Sequence, residues 1–448
     1  MPGAAPGTAP GVLRMKVRPD GLIGAVLAAE GCGLKAMING PGGCRSRALN
    51  LWRELSEEYL GEDPGSCRTE FLSRQSALPC TYLNSDDMVL GSGEKISEGL
   101  RSVLAASPGD IMLIDTLASG LQAADEMKSV RDAGAEGKVL LAPPELSSMS
   151  AAEGYDASAA LIAERYAGDG GEGRRPSLTV LGYTMADSSW HFGMQNLREL
   201  LSSMGIGEVH FIGCRSSAGE VPKSFRSSAA VEVHPENSTL TAEVYRKKGI
   251  PAVIPKAGSP IGFDSVRSFL EDVSDATGAS PDAALRKVQE EEDRCLRVLR
   301  NCDKDARAFR GQCCALSGMP SDTLPLMRFL RDWFGLVPCS VRKQYCGPSV
   351  YDGEVSAFLK ECGAEEAADA RPDPFSTAVF MSDGYEAEEY RREHPRCSCM
   401  GISAPYARKA EFRDSSLVGL GGCRYLLDGI INGRGEFSCG QPTMADFR

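Results

Sequence analysis

The chain reads as an α/β protein of three doubly wound, parallel-sheet (Rossmann-like) domains set around a central cleft. Three observations predict this. Short, continuous apolar runs such as IMLID (111–115), KVLL (138–141) and SLTVL (177–181) suit strands buried on both faces. They alternate with stretches of helical apolar period. The 448 residues are too many for one ordinary core, so two or three domains are expected.

The elements follow in order. Residues 1–17, rich in Pro, Gly and Ala, read as a disordered tail. The first block, 18–167, opens with GLIGAVLAAEG, an apolar helix, and a short strand, AMING, that ends at a glycine loop. In ISEGLRSVLAAS, Ile96, Leu100, Val103 and Leu104 share one helix face. IMLID then runs into Thr116 and small polar residues, as a parallel strand does at its carboxyl edge. GDGGEGRRP (168–176) is a linker by composition.

The second block, 176–280, opens with the strand SLTVLGYT. A helix follows with Leu197, Leu200, Leu201 and Met204 as its apolar stripe, then the strand EVHFIGC. TLTAEVYRKKGIPAVIP is a helix closed by Gly249, then a strand. The third block, 281–440, begins with a charged connecting helix, DAALRKVQEEEDRCLRVLRN, expected to be solvated. Strand, loop, helix, Gly335 and strand follow between 310 and 341. Ligands of such sheets bind at the carboxyl ends of the strands, so Cys44, Asp115, Thr116, Ser317 and Gly318 are all expected there.

The net charge of −12 argues against a nucleic-acid-binding surface as the main function, which needs a concentrated positive field. No run reaches the ~20 apolar residues of a spanning helix, and the start lacks a secretory signal pattern. A cytoplasmic location without nucleic-acid or membrane partners is expected. Sixteen cysteines are many for such a chain. None pair with C-x-x-C spacing, and most read as small buried apolar residues. GSGEKI (91–96) lacks phosphate-loop spacing and reads as a turn before a helix. Of the histidines, His210 reads as a packed strand residue, while His191 and His234 fall in loops after strands. No Ser-His-Asp set assembles from the spacing.

Two stretches stand out. In INGPGGCRSR (38–47), glycines and a proline make a tight loop that presents the thiol of Cys44. In SALPCTYLNSDDMVLGSGEKI (76–96), Cys80 follows a proline and precedes Asp86 and Asp87, which alone read as a helix cap.

Taken in order with IDTLASGLQAADEM, KKGIPAVIPKAGSPIGFDSVRSFL (247–270) and SSLVGLGGCRYLLDGIIN (415–432), these segments resemble the nitrogenase component 1 superfamily of nitrogenase-like reductases, over about residues 20–435. The resemblance implies the catalytic component of a two-component reductase. An iron-protein-type ATPase would supply electrons to an interface iron–sulfur cluster, expected as 4Fe–4S.

It also assigns Gly40, Pro41, Gly43 and Cys44 to the cluster loop. Of the three cysteines such subunits carry for the cluster, only Cys44 is clearly retained. Pro19 and Thr116 fall near the other two positions. The cysteine and histidine that hold a molybdenum–iron cofactor have no counterparts near Val233, His234 and Val418, so no such cofactor is expected.

A cubane needs about four thiolates, and a two-fold homodimer supplies them from two per chain. Cys80 and Cys32 compete as the second metal ligand beside Cys44. Loop placement favours Cys80. A heterodimer with a paralogous chain would serve as well. The substrate is expected to be an unsaturated small molecule, such as a tetrapyrrole of the nickel-sirohydrochlorin diamide kind. Asp115, at a strand end, is the candidate catalytic proton donor. Two other readings stay open: a non-catalytic scaffold for metal-cluster assembly, and a cluster-free binding protein of the same fold.

Overall fold

The computed structural model describes residues 18–55, 78–106, 109–122, 125–168, 176–302, 306–373, 375–405 and 414–433. The expected tail, nearly all of the 168–176 linker and the end of the third block lie outside the described residues.

The first block runs α1 (Gly21–Gly31), β1 (Lys35–Asn39), α2 (Gly42–Leu55), α3 (Ser85–Leu90), α4 (Gly93–Ala106), β2 (Ile111–Asp115), α5 (Leu117–Gly120), α6 (Glu126–Asp132), β3 (Val139–Leu141) and α7 (Ala151–Tyr166). The second runs β4 (Ser177–Leu181), α8 (Trp190–Ser203), β5 (Glu208–Phe211), α9 (Val221–Ser224), β6 (Ala229–Glu232), α10 (Thr239–Lys247), β7 (Ala252–Val253) and α11 (Phe263–Thr277). Then come α12 (Asp282–Asn301), β8 (Cys313–Gly318), α13 (Pro320–Phe334), β9 (Val337–Lys343), α14 (Asp352–Glu361), β10 (Thr377–Asp383), α15 (Gly384–Glu393), β11 (Ser398–Ser403) and α16 (Gly419–Asn432).

Three all-parallel sheets result, with orders β1-β2-β3, β5-β4-β6-β7 and β11-β10-β8-β9. Numbered within its own block, the second sheet has order 2-1-3-4, and the third has the same order read from the other edge. The first completes the pattern, because Cys80 forms a parallel bridge with Ile38 on the free edge of β1. All three blocks thus share one doubly wound plan. Each has its switch point between its first and third strands, where the connections leave in opposite directions and open a crevice.

Helix α1 is apolar on every side and almost wholly buried, as a helix without a polar face must be. It lies tight on α7 because glycines line the contact. A Cβ at Gly24 would fall 2.1 Å from the Ala151 carbonyl, and one at Gly154 would fall 2.3 Å from the Gly21 carbonyl. The blocks do not stand apart. Helix α7 also packs on α10, and α16 packs on α8 as well as β11. Helix α12 is largely solvated as expected, burying Ala284, Val288 and Cys295.

Strands β6, β10 and β11 are additions to the sequence reading. Ser317 and Gly318 close β8 from within rather than lying in a loop. His191 is the second residue of α8 and is exposed. Among the described residues, no helix is long and apolar enough to cross a membrane.

Candidate functional site

At the switch point of the first sheet, β1 ends in Asn39 and the chain turns through Gly40-Pro41 into α2. The Cys44 amide donates to the Pro41 carbonyl at 3.1 Å, so Cys44 sits in the first turn of that helix. The turn presses on Thr116. A Cβ at Gly40 would fall 2.4 Å from Thr116 Oγ1, and one at Gly42 would meet the Tyr82 ring at 3.1 Å. Gly43 faces open space, with nothing within 4 Å of a built Cβ.

The Cys80 strand lies along the free side of β1. Its thiol donates to the Gly40 carbonyl at 3.2 Å and accepts from the Tyr82 amide at 3.4 Å. Cys44 is close enough that charge on its sulfur opposes ionisation of Cys80. Burial pushes the Cys80 thiol up; the Tyr82 amide and the Arg45 guanidinium pull the other way. Arg45 is itself held by the Leu78 carbonyl at 3.2 Å. Both cysteines are half-buried. The structure therefore brings Gly40, Pro41, Gly43, Cys44 and Cys80 together.

Cys32 is elsewhere. It caps the end of α1, before β1 begins, whereas Cys44 follows the end of β1. Five strand residues, about 16 Å at ~3.3 Å each, separate the two ends. Cys32 is fully buried beside Ser216 and Gly213, and burial pushes its thiol up to about 12.

Beneath the loop runs a line of polar side chains. The Gly40 amide donates to Thr81 Oγ1 at 2.9 Å, and Thr81 Oγ1 donates to Asn39 Oδ1 at 3.0 Å. Asn39 Nδ2 donates to Asp115 Oδ1 at 2.7 Å. Asp115 is hydrogen-bonded to Glu126, the first residue of α6. Burial, then that hydrogen bond and the Asp115 charge, push the Glu126 carboxyl up to about 8. Glu126 escaped the sequence reading, because ADEM looks like an ordinary capped helix start. Only the fold sets it against a residue eleven positions earlier.

Around the loop the surface is apolar. Leu90 is 85% exposed and Leu121 80%, and Tyr82, Val89, Leu117 and Met127 are also exposed. Gln122 ties these segments together by donating to the Asp87 carbonyl at 2.7 Å. Asp87 completes a capping box with Asn84 and pairs with Lys95 at 2.5 Å, a structural use of the aspartate pair. Among the described residues, no group of three or more His, Cys, Asp or Glu side chains is placed to hold a metal. Two thiols, backbone donors and open space beside Gly43 suit half of a shared cluster.

The second and third sheets meet differently. His234, after β6, is buried, with Nε2 2.9 Å from Asp187 Oδ1 of the loop after β4. Its Nδ1 lies 3.1 Å from Ser321 Oγ, 3.2 Å from Ser259 Oγ and 3.4 Å from Asp322 Oδ1. The ring stacks on Tyr183. Burial alone would push His234 down, but Asp322 and Asp187 outweigh it and raise it to about 10. Burial raises Asp322 to about 6 against the pull of His234. With both ring nitrogens engaged, Val233 apolar and Val418 buried, this region does not fit a molybdenum–iron cofactor.

Three parallel sheets of one plan, with a glycine–cysteine loop at the switch point of the first, define a class of three-block α/β proteins. The family profile described as Nitrogenase component 1 type Oxidoreductase matches residues 21–366, and the chain belongs to that family. It is a nitrogenase-like oxidoreductase by family. Two solved structures share the fold. "Nitrogenase Cp1 at pH 6.5" aligns with TM-score 0.74 at 18% identity, over 96% of this chain and 94% of that one. "Nitrogenase Cp1 at pH 5" aligns with TM-score 0.65 at 15% identity, over 95% and 90%. No curated protein sequence matches.

Proposed function

We propose that the chain is the catalytic component of an ATP-dependent, two-component nitrogenase-like reductase. It takes single electrons from an iron-protein-type ATPase and reduces an unsaturated small molecule in the cleft between its three blocks. The family resemblance favours a tetrapyrrole of the nickel-sirohydrochlorin diamide kind. When bound, a 4Fe–4S cluster would supply one-electron relay chemistry. Cys44 and Cys80 would hold it, and the equivalent pair of a second copy would complete the four ligands across an isologous interface.

The observation that carries this reading is the juxtaposed, half-exposed thiols of Cys44 and Cys80, rimmed by exposed apolar side chains. Exposed apolar patches of this kind mark interaction surfaces. A second copy seated there would exclude water from the sulfurs and cover Leu90, Val89 and Leu121. The chain's own parts in the relay are limited and specific. The Tyr82 amide and Arg45 stabilise negative charge at Cys80, and the Gly40–Thr116 contact fixes the loop.

Anaerobic purification with iron and sulfide analysis, EPR and size measurement tests the reading. One cluster per dimer is expected, lost in Cys44→Ala and Cys80→Ala with the secondary structure intact. Turnover is expected only with a reductase, ATP and a tetrapyrrole together. A colourless protein, or cluster absorption that survives Cys44→Ala, would refute it.

A further inference from the structure

Near the amino end of the third sheet, two cysteines outside the site described above are brought together by a fault in the strand ladder. Strand β8 runs unbroken between two irregular neighbours. Its Cys313 pairs with Val337 of β9 and Thr377 of β10, and its Cys314 pairs with Pro338 and Val379. The next pair with β9 is Ala315–Ser340, so Cys339 is the extra residue of a bulge. Pro338, which has no amide to give to the ladder, is accommodated beside such a bulge. Cys339 lies on the face that α15 covers, packed with Ala315, Phe380 and Tyr390. Cys313 is two residues before Ala315 on β8, and alternate strand residues share a face.

The bulge carries the Cys339 sulfur across β8. Its Sγ is 3.5 Å from Thr377 Oγ1, on the strand beyond. Cys313 is the β8 residue that pairs with Thr377, so the Cys339 sulfur lies over Cys313. Burial pushes the Cys339 thiol up against the pull of Thr377, and a charge on Cys313 adds to the rise. Both thiols are part-exposed, whereas Cys314, Cys397 and Cys399 of the same sheet are buried. Among the described residues, no group of three or more ligating side chains makes this a metal site. We propose that Cys313 and Cys339 form a reversible modification site, a dithiol that a hydroperoxide closes to a disulfide across β8 and β9. With hydrogen peroxide, one sulfur attacks an oxygen, the O–O bond breaks, and a sulfenic acid and one water form. The second thiol attacks the sulfenic sulfur. The S–S bond forms, the S–O bond breaks, and a second water leaves with the thiol's proton. The sulfurs lose two electrons in all and the peroxide gains them. Dithiothreitol reverses the closure by exchange and is itself oxidised. Neither direction needs a cluster, a reductase or a substrate.

Thiol mapping of the full chain tests the site. The reduced, folded protein is exposed to hydrogen peroxide, its remaining thiols are alkylated, and its peptides are read by tandem mass spectrometry. A Cys313–Cys339 cross-link should appear, with both positions lost to alkylation, and dithiothreitol should restore both. Fragmentation between Cys313 and its neighbour Cys314 shows which sulfur is bound. In Cys339→Ser, and separately in Cys313→Ser, the cross-link should be absent while the circular dichroism is unchanged. The wild-type map decides the matter even if a variant folds poorly. A bond from Cys339 to Cys314 or to any other cysteine in place of Cys313 overturns the proposal. So do thiols that stay free or over-oxidise without a cross-link, and a cross-link that forms only in denaturant.

Discussion

Loss of the charge on His234 should weaken the fold by an amount that can be worked out. The ring titrates near 6.5 when exposed and near 10 in the fold. A group raised on folding stabilises the native state fully below its unfolded value, and that stabilisation disappears as pH climbs to the folded value. The gap of about 3.5 units corresponds to about 5 kcal/mol over the whole range, at about 1.4 kcal/mol per unit. Between pH 7 and 8.5 the loss should be about 2 kcal/mol. Asp322 does not add to this slope, because its folded value of about 6 leaves it ionised in both states across that window. Replacing His234 alone would strand carboxylates, so the slope is best read in His234→Gln combined with Asp322→Asn. Guanidinium unfolding followed by tryptophan fluorescence, at pH 7 and pH 8.5, compares this pair with the wild type. The double variant should lack the 2 kcal/mol drop. The single His234→Gln variant should be about 3–5 kcal/mol less stable at pH 7. An equal pH dependence in the wild type and the double variant would refute the assignment of the charge to His234.

Two further substitutions separate the cysteines and test the loop. Cys32→Ala should cost about 1–2 kcal/mol through its small cavity, measured by denaturant titration, and leave the iron content of anaerobically purified protein unchanged. Iron lost in this variant at full folding would reinstate Cys32 as a ligand. Gly40→Ala must push on Thr116. It should cost about 1–3 kcal/mol and reduce cluster occupancy, whereas Gly43→Ala, with open space around it, should change neither by much. Similar iron contents for the two variants would mean that the Gly40–Thr116 contact does not set the cysteine geometry.

What the sequence made legible was local. β1, β2, β4 and β8 are continuous apolar runs, and each was readable because a strand buried on both faces needs no partner pattern to reveal it. Cys44 was legible for a similar reason, since the Gly-Pro-Gly-Gly turn and the thiol are contiguous. β6 (Ala229–Glu232) was missed because it is four residues long and ends in a buried glutamate. β11 (SCMGIS) was hidden by its serines, cysteine and glycine, which score as turn or loop residues; β10 (TAVFMSD) carries a continuous apolar run that the sequence reading passed over. Cys32 competed with Cys80 because one dimension does not tell which end of a strand a cysteine occupies. The Ile38–Cys80 bridge is a contact across 42 positions, and with the Gly40–Thr81 and Cys80–Gly40 hydrogen bonds it brings the second thiol to the first.

The two switch points place carboxylates differently. At the second, Asp187 and Asp322 surround one imidazolium, with serine hydroxyls completing the shell. That arrangement joins β6 to α13 and turns the crevice into a structural joint between blocks. The charge on the ring is nearly fixed at neutral pH, because His234 is raised to about 10. At the first, Asp115 and Glu126 are only part-buried, and burial together with the Asp115 contact pushes the Glu126 carboxyl up to about 8. The two crevices share a strand order and differ in what fills them: an imidazole set among carboxylates and serine hydroxyls in one, two half-buried thiols at a glycine loop in the other.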